Sequence, residues 1–146
     1  MVKSIRFARR ALTGIPLILA GCLSTTEPPE TLFWEGELVA VPDGPAGLAG
    51  PAAMVALQSQ TRVGVGLTGA PDGATYGWLL LGGTCAAPRE AVAPASAFPA
   101  LQVSDGGVDA EAVIQRRLTG TDYAVQVVEN SDGTGAVLAC ADLTRT

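Results

Sequence analysis

The chain has 146 residues, of which 48% are apolar and only 5% aromatic, and it contains no histidine. This length is sufficient for one domain with a substantial core. Eighteen glycines and ten prolines favour short strands joined by turns over a helical bundle. The missing histidine excludes Ser-His and Cys-His catalytic pairs. A net charge of −5 argues against a nucleic-acid partner.

The first 21 residues have the pattern of an export signal. Four basic residues open it: Lys3, Arg6, Arg9 and Arg10. The apolar stretch that follows, Ala11 to Ala20, is interrupted by Gly14 and Pro16. It is too short to span the roughly 30 Å hydrocarbon core of a bilayer. The pattern therefore predicts a cleaved signal peptide over residues 1–21 rather than a membrane-spanning helix.

The signal ends in Leu19-Ala20-Gly21-Cys22, which resembles the lipobox of bacterial lipoproteins. In that family the cysteine receives a diacylglyceryl group and becomes the first residue of the mature protein. The resemblance implies a lipid anchor on Cys22 as the contact with the membrane, and the alternative is an ordinary signal peptide with a chance cysteine. Leu23 stands where an Asp would resemble an inner-membrane retention signal, which favours the outer membrane, facing the periplasm, where two membranes exist. Residues 22–31 are polar and contain proline, as in a flexible tether.

Processing leaves five arginines against 14 acidic residues, which gives a net charge of −9. Attachment to an anionic membrane must then come from acyl chains rather than from charge. Two cysteines remain, Cys85 and Cys140. In an oxidising compartment, an even pair in a small domain predicts a disulfide. Two unpaired buried thiols are the alternative.

Residues 32–146 form the predicted domain, and its strands follow from an alternation of period two. In the first strand, Trp34, Leu38 and Ala40 alternate with Glu35, Glu37 and Val39. Apolar residues line one face of each of the next two strands: Ala53, Val55 and Leu57, then Val63, Val65 and Leu67, with Arg62, Gly64 and Gly66 opposite the latter set. Turn residues separate these strands, as at Pro42–Pro45 and Ala70–Gly73.

The densest apolar stretch of the exported chain, Thr75 to Cys85, predicts a central strand. Residues 86–100 hold three prolines and seven alanines, which predicts a covering or functional loop without regular structure. Three more strands are predicted, ending near Ile114, at Val127 and at Leu143. These elements together predict an all-β fold, an antiparallel Greek-key sandwich or barrel of about seven or eight strands.

Two further patterns do not predict a site. Gly64-Val65-Gly66-Leu67-Thr68-Gly69 fits G-x-G-x-x-G, but a Pro-Asp-Gly turn follows where a dinucleotide site needs a helix. Asp105, Asp109 and Glu111 lie close together in sequence. Such a group is typical of a solvated strand edge, because no glycine-containing loop of oxygen ligands accompanies it.

Three segments resemble the copper/zinc superoxide dismutase superfamily, in a reduced bacterial version. They are Tyr76-Gly77-Trp78-Leu79-Leu80-Leu81-Gly82-Gly83-Thr84-Cys85, Val127-Val128-Glu129 and Ala139-Cys140-Ala141-Asp142-Leu143. In that family a strand carries His-x-His before a glycine and a cysteine, and a late strand carries Val-His. The family's disulfide joins the cysteines that correspond to Cys85 and Cys140. The resemblance therefore implies a superoxide-dismutase-like fold and this same pairing.

The metal positions depart from the family pattern. The histidine sites correspond to Tyr76, Leu79, Leu81 and Val128, and leucine and valine cannot bind copper or zinc. The resemblance thus implies no metal, no cofactor and no dismutase activity. Leu80 is expected in the core, and Leu79, Leu81 and Val128 are expected to form an apolar cluster in place of the metal. The loop of residues 86–100 is expected to fold over this cluster with Val92 and Phe98; otherwise the cluster is an exposed binding surface.

Three functions remain open at the level of sequence. The first is a non-catalytic, superoxide-dismutase-like envelope lipoprotein that acts as a structural or interaction module. The second is a binding module for a small apolar ligand or a partner protein at the former metal-site surface. The third is an enzyme with unrecognised carboxylate chemistry, and it ranks last.

Overall fold

The computed structural model describes residues 26–146, and the predicted signal peptide and Cys22 lie outside the described residues. Residues 26–31 are exposed and have no regular structure. Nine antiparallel strands follow: β1 (Leu32–Ala40), β2 (Ala49–Ala56), β3 (Thr61–Thr68), β4 (Thr75–Gly83), β5 (Pro88–Ala91), β6 (Leu101–Gln102), β7 (Gly107–Ile114), β8 (Tyr123–Val128) and β9 (Val137–Arg145). A single 3₁₀ turn, Ala95–Ala97, lies between β5 and β6. Within residues 26–146, no helix is long and apolar enough to cross a membrane.

The sheet follows the order β5-β4-β8-β9-β1-β2-β3-β7 and curls into a half-barrel. The short strand β6 pairs with β4 and also lies against β7, on the open side of the curl. The connections from β3 to β4 and from β7 to β8 join strands that are not neighbours, as in Greek-key folds. The predicted all-β antiparallel class is confirmed. Residues 26–146 contain nine strands, whereas about seven or eight were predicted. The two short strands β5 and β6 are the ones that the sequence did not predict.

The core lies inside the curl and is formed by alternate residues of each strand. Trp34, Trp78 and Leu80 are fully buried there, so the prediction for Leu80 is confirmed. Trp34 packs edge-to-face on Tyr123, with ring centroids 5.8 Å apart. The indole N–H of Trp34 has no hydrogen-bond partner among the described residues, a cost of about 1–3 kcal/mol. Burial of its ring, like that of other large apolar side chains, offsets this cost.

Strand β2 buries the face opposite to the one that the sequence singled out. Ala52, Met54 and Ala56 point into the core, whereas Ala53 is exposed and Val55 half-buried. Both faces of this strand are apolar, so alternation alone does not tell which one is buried. The register with β1 decides it: Met54 lies opposite the buried Trp34.

Two polar side chains fix the segment between β7 and β8. The buried Thr61 hydroxyl donates to the carbonyl oxygen of Arg116 and accepts from the N–H of Leu118, both at 2.9 Å. The Arg117 guanidinium donates to the carbonyl oxygens of Leu57 and Glu30. The chain therefore enters β1 at a fixed place, next to the end of β2.

Candidate functional site

The outer side of the curled sheet has two parts with different surroundings. The outward side chains of β4, β8 and β9 form what we call the covered face. The outward side chains of β1, β2, β3 and β7 form what we call the open face. The two faces meet where β9 pairs with β1. Three of the four degenerate metal-ligand positions lie on the covered face.

Leu79, Leu81 and Val128 share the covered face, because Leu79 and Leu81 alternate with the core residues of β4 and Val128 lies opposite Gly77. Leu81 is 7% exposed and Val128 3%, while Leu79 is half-buried. Tyr76 does not join them, since it points into the core with Trp78. The structure thus brings together three of the four predicted positions, and their side chains are largely withdrawn from solvent.

A disulfide between Cys85 and Cys140 crosses the covered face, as predicted. The two Cα atoms are 6.0 Å apart and 55 positions apart in sequence. The backbone N–H of Cys85 also donates to Asp142 Oδ1 at 2.6 Å. Cys140 and Asp142 are alternate residues of β9, opposite Gln126 and Ala124 of β8. The segment that follows β4 is therefore held across this face at two points.

Leu79 is covered by two further segments that meet above it. A Cβ atom placed on Gly133 would lie 2.7 Å from Ala95 Cβ and 3.3 Å from Leu79 Cδ2. Gly133 also has a positive φ of 85°, which favours glycine. The β8–β9 turn and the 3₁₀ turn thus close over Leu79 at a distance that only glycine permits.

The segment of residues 86–100 meets the expectation in part, because Ala95 lies over Leu79. Val92 does not cover the cluster as expected, since it packs against the main core. The segment contains β5, which pairs with β4, and the 3₁₀ turn. Phe98 belongs to the main core, where it packs edge-to-face on Trp78 with ring centroids 5.0 Å apart. The Trp78 indole N–H donates to the carbonyl oxygen of Pro99 at 2.7 Å. Phe98 therefore packs against the inner side of β4, and the prediction that it lies over Leu79 and Leu81 is wrong.

The open face is organised in rows, because the registers of β1, β2, β3 and β7 align their outward residues. The first row is Phe33, Val55, Arg62 and Val113. The second is Glu35, Ala53, Gly64 and Glu111. The third is Glu37, Pro51, Gly66 and Asp109, and the fourth is Val39, Ala49, Thr68 and Gly107. In the second and third rows, the two middle strands carry only alanine, glycine or proline, and carboxylate side chains stand on β1 and β7.

This difference in size makes an open groove of about 750 Å³ along the strands, which we call the β1–β7 groove. The floor of the groove leaves no space for a side chain at Gly66 but does leave space at Gly64. A Cβ on Gly66 would lie 2.8 Å from Asp109 Oδ1 and 3.2 Å from Pro51 Cδ, whereas a Cβ on Gly64 would meet only the Ala110 carbonyl oxygen, at 3.8 Å. Gly64 can therefore be enlarged into the groove without a clash at the floor.

Among residues 26–146, the large apolar side chains that are exposed all lie on this face. The large hydrophobic residues that remain exposed are Phe33 at 50%, Val39 at 66% and Val113 at 37%. All three point outward from β1 or β7, the strands whose side chains form the walls of the groove. Phe33 lines the groove itself, and Val39 and Val113 lie outside its lining on the same face. Single exposed apolar residues are ordinary, but several on one face indicate an interaction surface.

Acidic residues stand beside these apolar ones on both walls. Glu35 and Glu37 lie on β1, and Asp109 and Glu111 lie on β7. Arg62 is the one basic residue in the four rows, and its Nη1 is 4.0 Å from Glu111 Oε1, with both side chains more than half exposed. An ion pair this exposed contributes about 0–1 kcal/mol. The groove therefore keeps a negative field.

A second depression, of about 770 Å³, lies at the β5 end of the sheet. It contains Arg89 and Arg116 together with Glu90 and Asp122, so its charges balance. Arg116 already donates to the carbonyl oxygen of Val92 at 2.7 Å. This depression carries no net charge and no exposed large apolar residue, so it is suited as a control surface.

The remaining sequence patterns have ordinary structural roles. The glycine-rich stretch from Gly64 to Gly69 is strand β3 and the turn after it, with no helix behind it. Asp105 occupies a turn with φ of 54°, while Asp109 and Glu111 line the groove. Within residues 26–146, no three His, Cys, Asp or Glu residues are grouped closely enough to hold a metal ion.

The groove was not predicted from the sequence, although its outward residues were visible strand by strand. Glu35, Glu37 and Val39 alternate with core residues in β1, and Gly64 does so in β3. The pairings of β1 with β2, of β2 with β3 and of β3 with β7 bring these outward residues into one groove. Comparisons with family models, with curated proteins and with solved structures found no match.

Proposed function

We propose that the protein is a non-catalytic interaction module of an envelope lipoprotein, built on a superoxide-dismutase-like scaffold without a metal site. The observation that carries the proposal is the open face. It holds the three exposed large apolar residues of residues 26–146, Phe33, Val39 and Val113, beside a floor of small residues. A face of this kind is costly to leave in water unless a partner covers it.

The scaffold part of the proposal rests on the disulfide and on the late strand. Cys85 follows β4 and Cys140 lies in β9, which is the pairing that the family resemblance implies. Leucine and valine at positions 79, 81 and 128 supply no metal ligand. A non-catalytic role is consistent with these positions and with a chain that has no histidine.

The former metal-site surface is the less favoured binding site. Leu81 and Val128 are buried, and a disulfide and two turns lie across their face. A ligand would have to displace these segments before it reached the aliphatic cluster. The open face requires no such rearrangement.

The proposed anchor places the open face within reach of a membrane. The ten residues from Cys22 to Thr31 can extend over at most about 35 Å. The chain then enters β1 at Leu32, next to Phe33. The Phe33 end of the groove is therefore the end nearer to the tether.

The anchor is tested by Cys22→Ser. We expect this variant to lose acyl labelling and to leave the membrane fraction, because the acyl chains supply the attachment. Membrane fractionation and labelling with a fatty-acid analogue measure both effects. Unchanged membrane fractionation of the variant would contradict the lipoprotein part of the proposal.

The interaction part is tested by a photo-crosslinking residue placed at Val39 or Val113 in the producing cell. We expect a discrete crosslinked species from both positions, and none from a probe at Glu90, which lies in the second depression. The crosslink should disappear when Gly64→Val fills the groove. Equal crosslinking from Glu90, or no effect of Gly64→Val, would contradict the assignment to the open face.

A further inference from the structure

We propose that the β1–β7 groove takes an extended, cationic and amphipathic polypeptide segment that lies along the strands. This inference rests on the proposed function, since it names the class of partner for the same face.

The groove has the dimensions of one extended segment. Outward residues of a strand repeat every two positions, about 6.7 Å. The three rows that line the groove therefore span about 13 Å, and the whole open face from Phe33 to Val39 spans about 20 Å. That length matches about six extended residues. The walls stand on β1 and β7, which are three strand spacings apart, or about 14 Å. Between them, Ala53 and Gly64 leave the middle of the floor free of large side chains.

The chemistry of the groove divides between floor and walls. Pro51, Ala53 and Gly64 offer an apolar floor that provides contact area but no charge. An extended segment points alternate side chains to opposite sides. Apolar residues at every second position would face this floor and the exposed rings and aliphatic groups at the ends of the groove. The intervening residues would point away from the floor.

The acidic side chains on the walls favour Lys or Arg at those intervening positions of the segment. Glu35 and Glu37 stand on one side, and Asp109 and Glu111 on the other, while Arg62 is the one basic group in the four rows. Long basic side chains can lay their apolar stems along the groove and bring the charged group to a wall carboxylate. Opposite charge across an interface favours this partner and speeds the encounter.

The same charges exclude the other obvious occupants. A second copy of the chain would bring two acidic faces together, and like charges in contact are destabilising. An anionic bilayer surface is repelled for the same reason. A small apolar ligand is not enclosed, because the groove is open along its length, whereas small-molecule sites bury most of their ligand.

The test uses the processed protein as purified from the producing cell and three dye-labelled peptides of about seven residues. One alternates Lys and Val, one alternates Glu and Val, and one alternates Lys and Ser. Fluorescence anisotropy at low salt measures binding. We expect the Lys-Val peptide to bind at least about tenfold more tightly than either other peptide, because only it satisfies both floor and walls.

Substitutions then locate the site. Gly64→Val should weaken binding of the Lys-Val peptide about tenfold, because the added methyl groups occupy the floor. Glu35→Gln with Glu111→Gln should weaken it several-fold and reduce its salt dependence. Phe33→Ser changes an exposed side chain and leaves the floor intact. If Gly64→Val fails to fold, binding of the Lys-Val peptide to Phe33→Ser replaces it as the test of the site. Glu90→Gln in the second depression is the matched control and should change nothing.

The outcomes separate this inference from the proposed function. Equal binding of the Lys-Ser and Lys-Val peptides, or full binding by Gly64→Val, would overturn the amphipathic segment as occupant. Self-association of the protein that Gly64→Val abolishes, without peptide binding, would overturn it in favour of a second copy. If no peptide binds but crosslinking from Val39 persists in the cell, the occupant is wrong and the interaction face stands.

Discussion

The covered face and the open face belong to one curled sheet, yet only one of them is closed. The connections around the covered face are long enough to cross it: the segment after β4 reaches Cys140, and the β8–β9 turn meets the 3₁₀ turn over Leu79. The strands of the open face are joined differently. Residues 57–60 connect β2 to β3 directly at their ends, so they cannot lie across the face.

The difference in the connecting segments decides what becomes of the outward apolar residues of a strand. Where a segment crosses the face they are buried in a second layer, and where none does they remain available as an interaction surface. Both faces carry aliphatic residues in strands, Leu81 and Val128 on one and Val39 and Val113 on the other. Leu81 and Val128 are buried because other segments are tied down above them. The open face has acidic neighbours instead, and solvent reaches its valines. Substitutions on the two faces can show whether the segments tied down above the covered face cause its burial.

The largest expected effect is loss of the disulfide that crosses the covered face. Replacement of Cys85 and Cys140 by serine should lower the free energy of unfolding by about 4 kcal/mol, because the bridge restricts a loop of 55 residues in the unfolded chain. Denaturant unfolding of the variant and the oxidised parent measures it, and the reduced parent is the control. An unchanged unfolding midpoint would contradict the claim that the disulfide stabilises the covered face.

The second prediction applies one substitution to both faces. Leu81→Asp should destabilise the protein by about 3 kcal/mol or more, since it places a carboxylate at a buried position. Val39→Asp, at a position that is 66% exposed, should change stability by less than about 0.5 kcal/mol. Thermal unfolding of the two variants compares the faces directly. Similar destabilisation by both would break the distinction between them.

The third prediction concerns the segment of residues 86–100. Trp78→Phe removes the hydrogen bond to the Pro99 carbonyl and part of the contact with Phe98. We expect a loss of about 1–2 kcal/mol and faster hydrogen exchange at the amide of Phe98, which bonds to Ala95. Exchange at the β2–β3 pairing should be less affected. A uniform increase in exchange rate across the sheet would show that the Trp78 contacts stabilise the whole fold rather than this segment in particular.

The smallest effect is expected in the β8–β9 turn, where the pKa of Asp132 lies below its ordinary value. The Thr134 hydroxyl and then the Thr134 backbone N–H donate to this carboxylate and favour its charged form. Its contribution to stability is therefore present at neutral pH and is lost as pH falls through the folded pKa, below about pH 4. Thr134→Val should raise the pKa, as measured by NMR titration of the carboxyl carbon. An identical titration in both proteins would contradict the hydroxyl as the main cause.

Much of the fold follows from local pattern. The alternation in β1 identifies Trp34 as a core residue, and the turn at residues 130–133 forms where glycine and aspartate predict it. In β4, alternation places Trp78 and Leu80 on one face, and the family resemblance assigned that face to the core. The pairing of Cys85 with Cys140 follows from their number once Cys22 is assigned to the lipid. These features depend on neighbouring residues or on counting, so the sequence is sufficient for them.

The buried face of β2 and the position of Phe98 could not be predicted from the local sequence pattern. In β2 both faces are apolar, so only its register against β1 decides that Met54 is buried and Ala53 exposed. Phe98 could pack on either side of β4, and the path of its segment places it on Trp78. Neither choice is encoded in the spacing of the residues concerned.

The sequence by itself determined which residues of each strand share a side, because side chains alternate along any extended backbone. Only the tertiary structure decided that Glu35, Ala53, Gly64 and Glu111 stand in one row. Their alignment requires four strands from distant parts of the chain to pair in one register, and that register is set by the packing of the whole core. The groove and its proposed partner are consequences of that register.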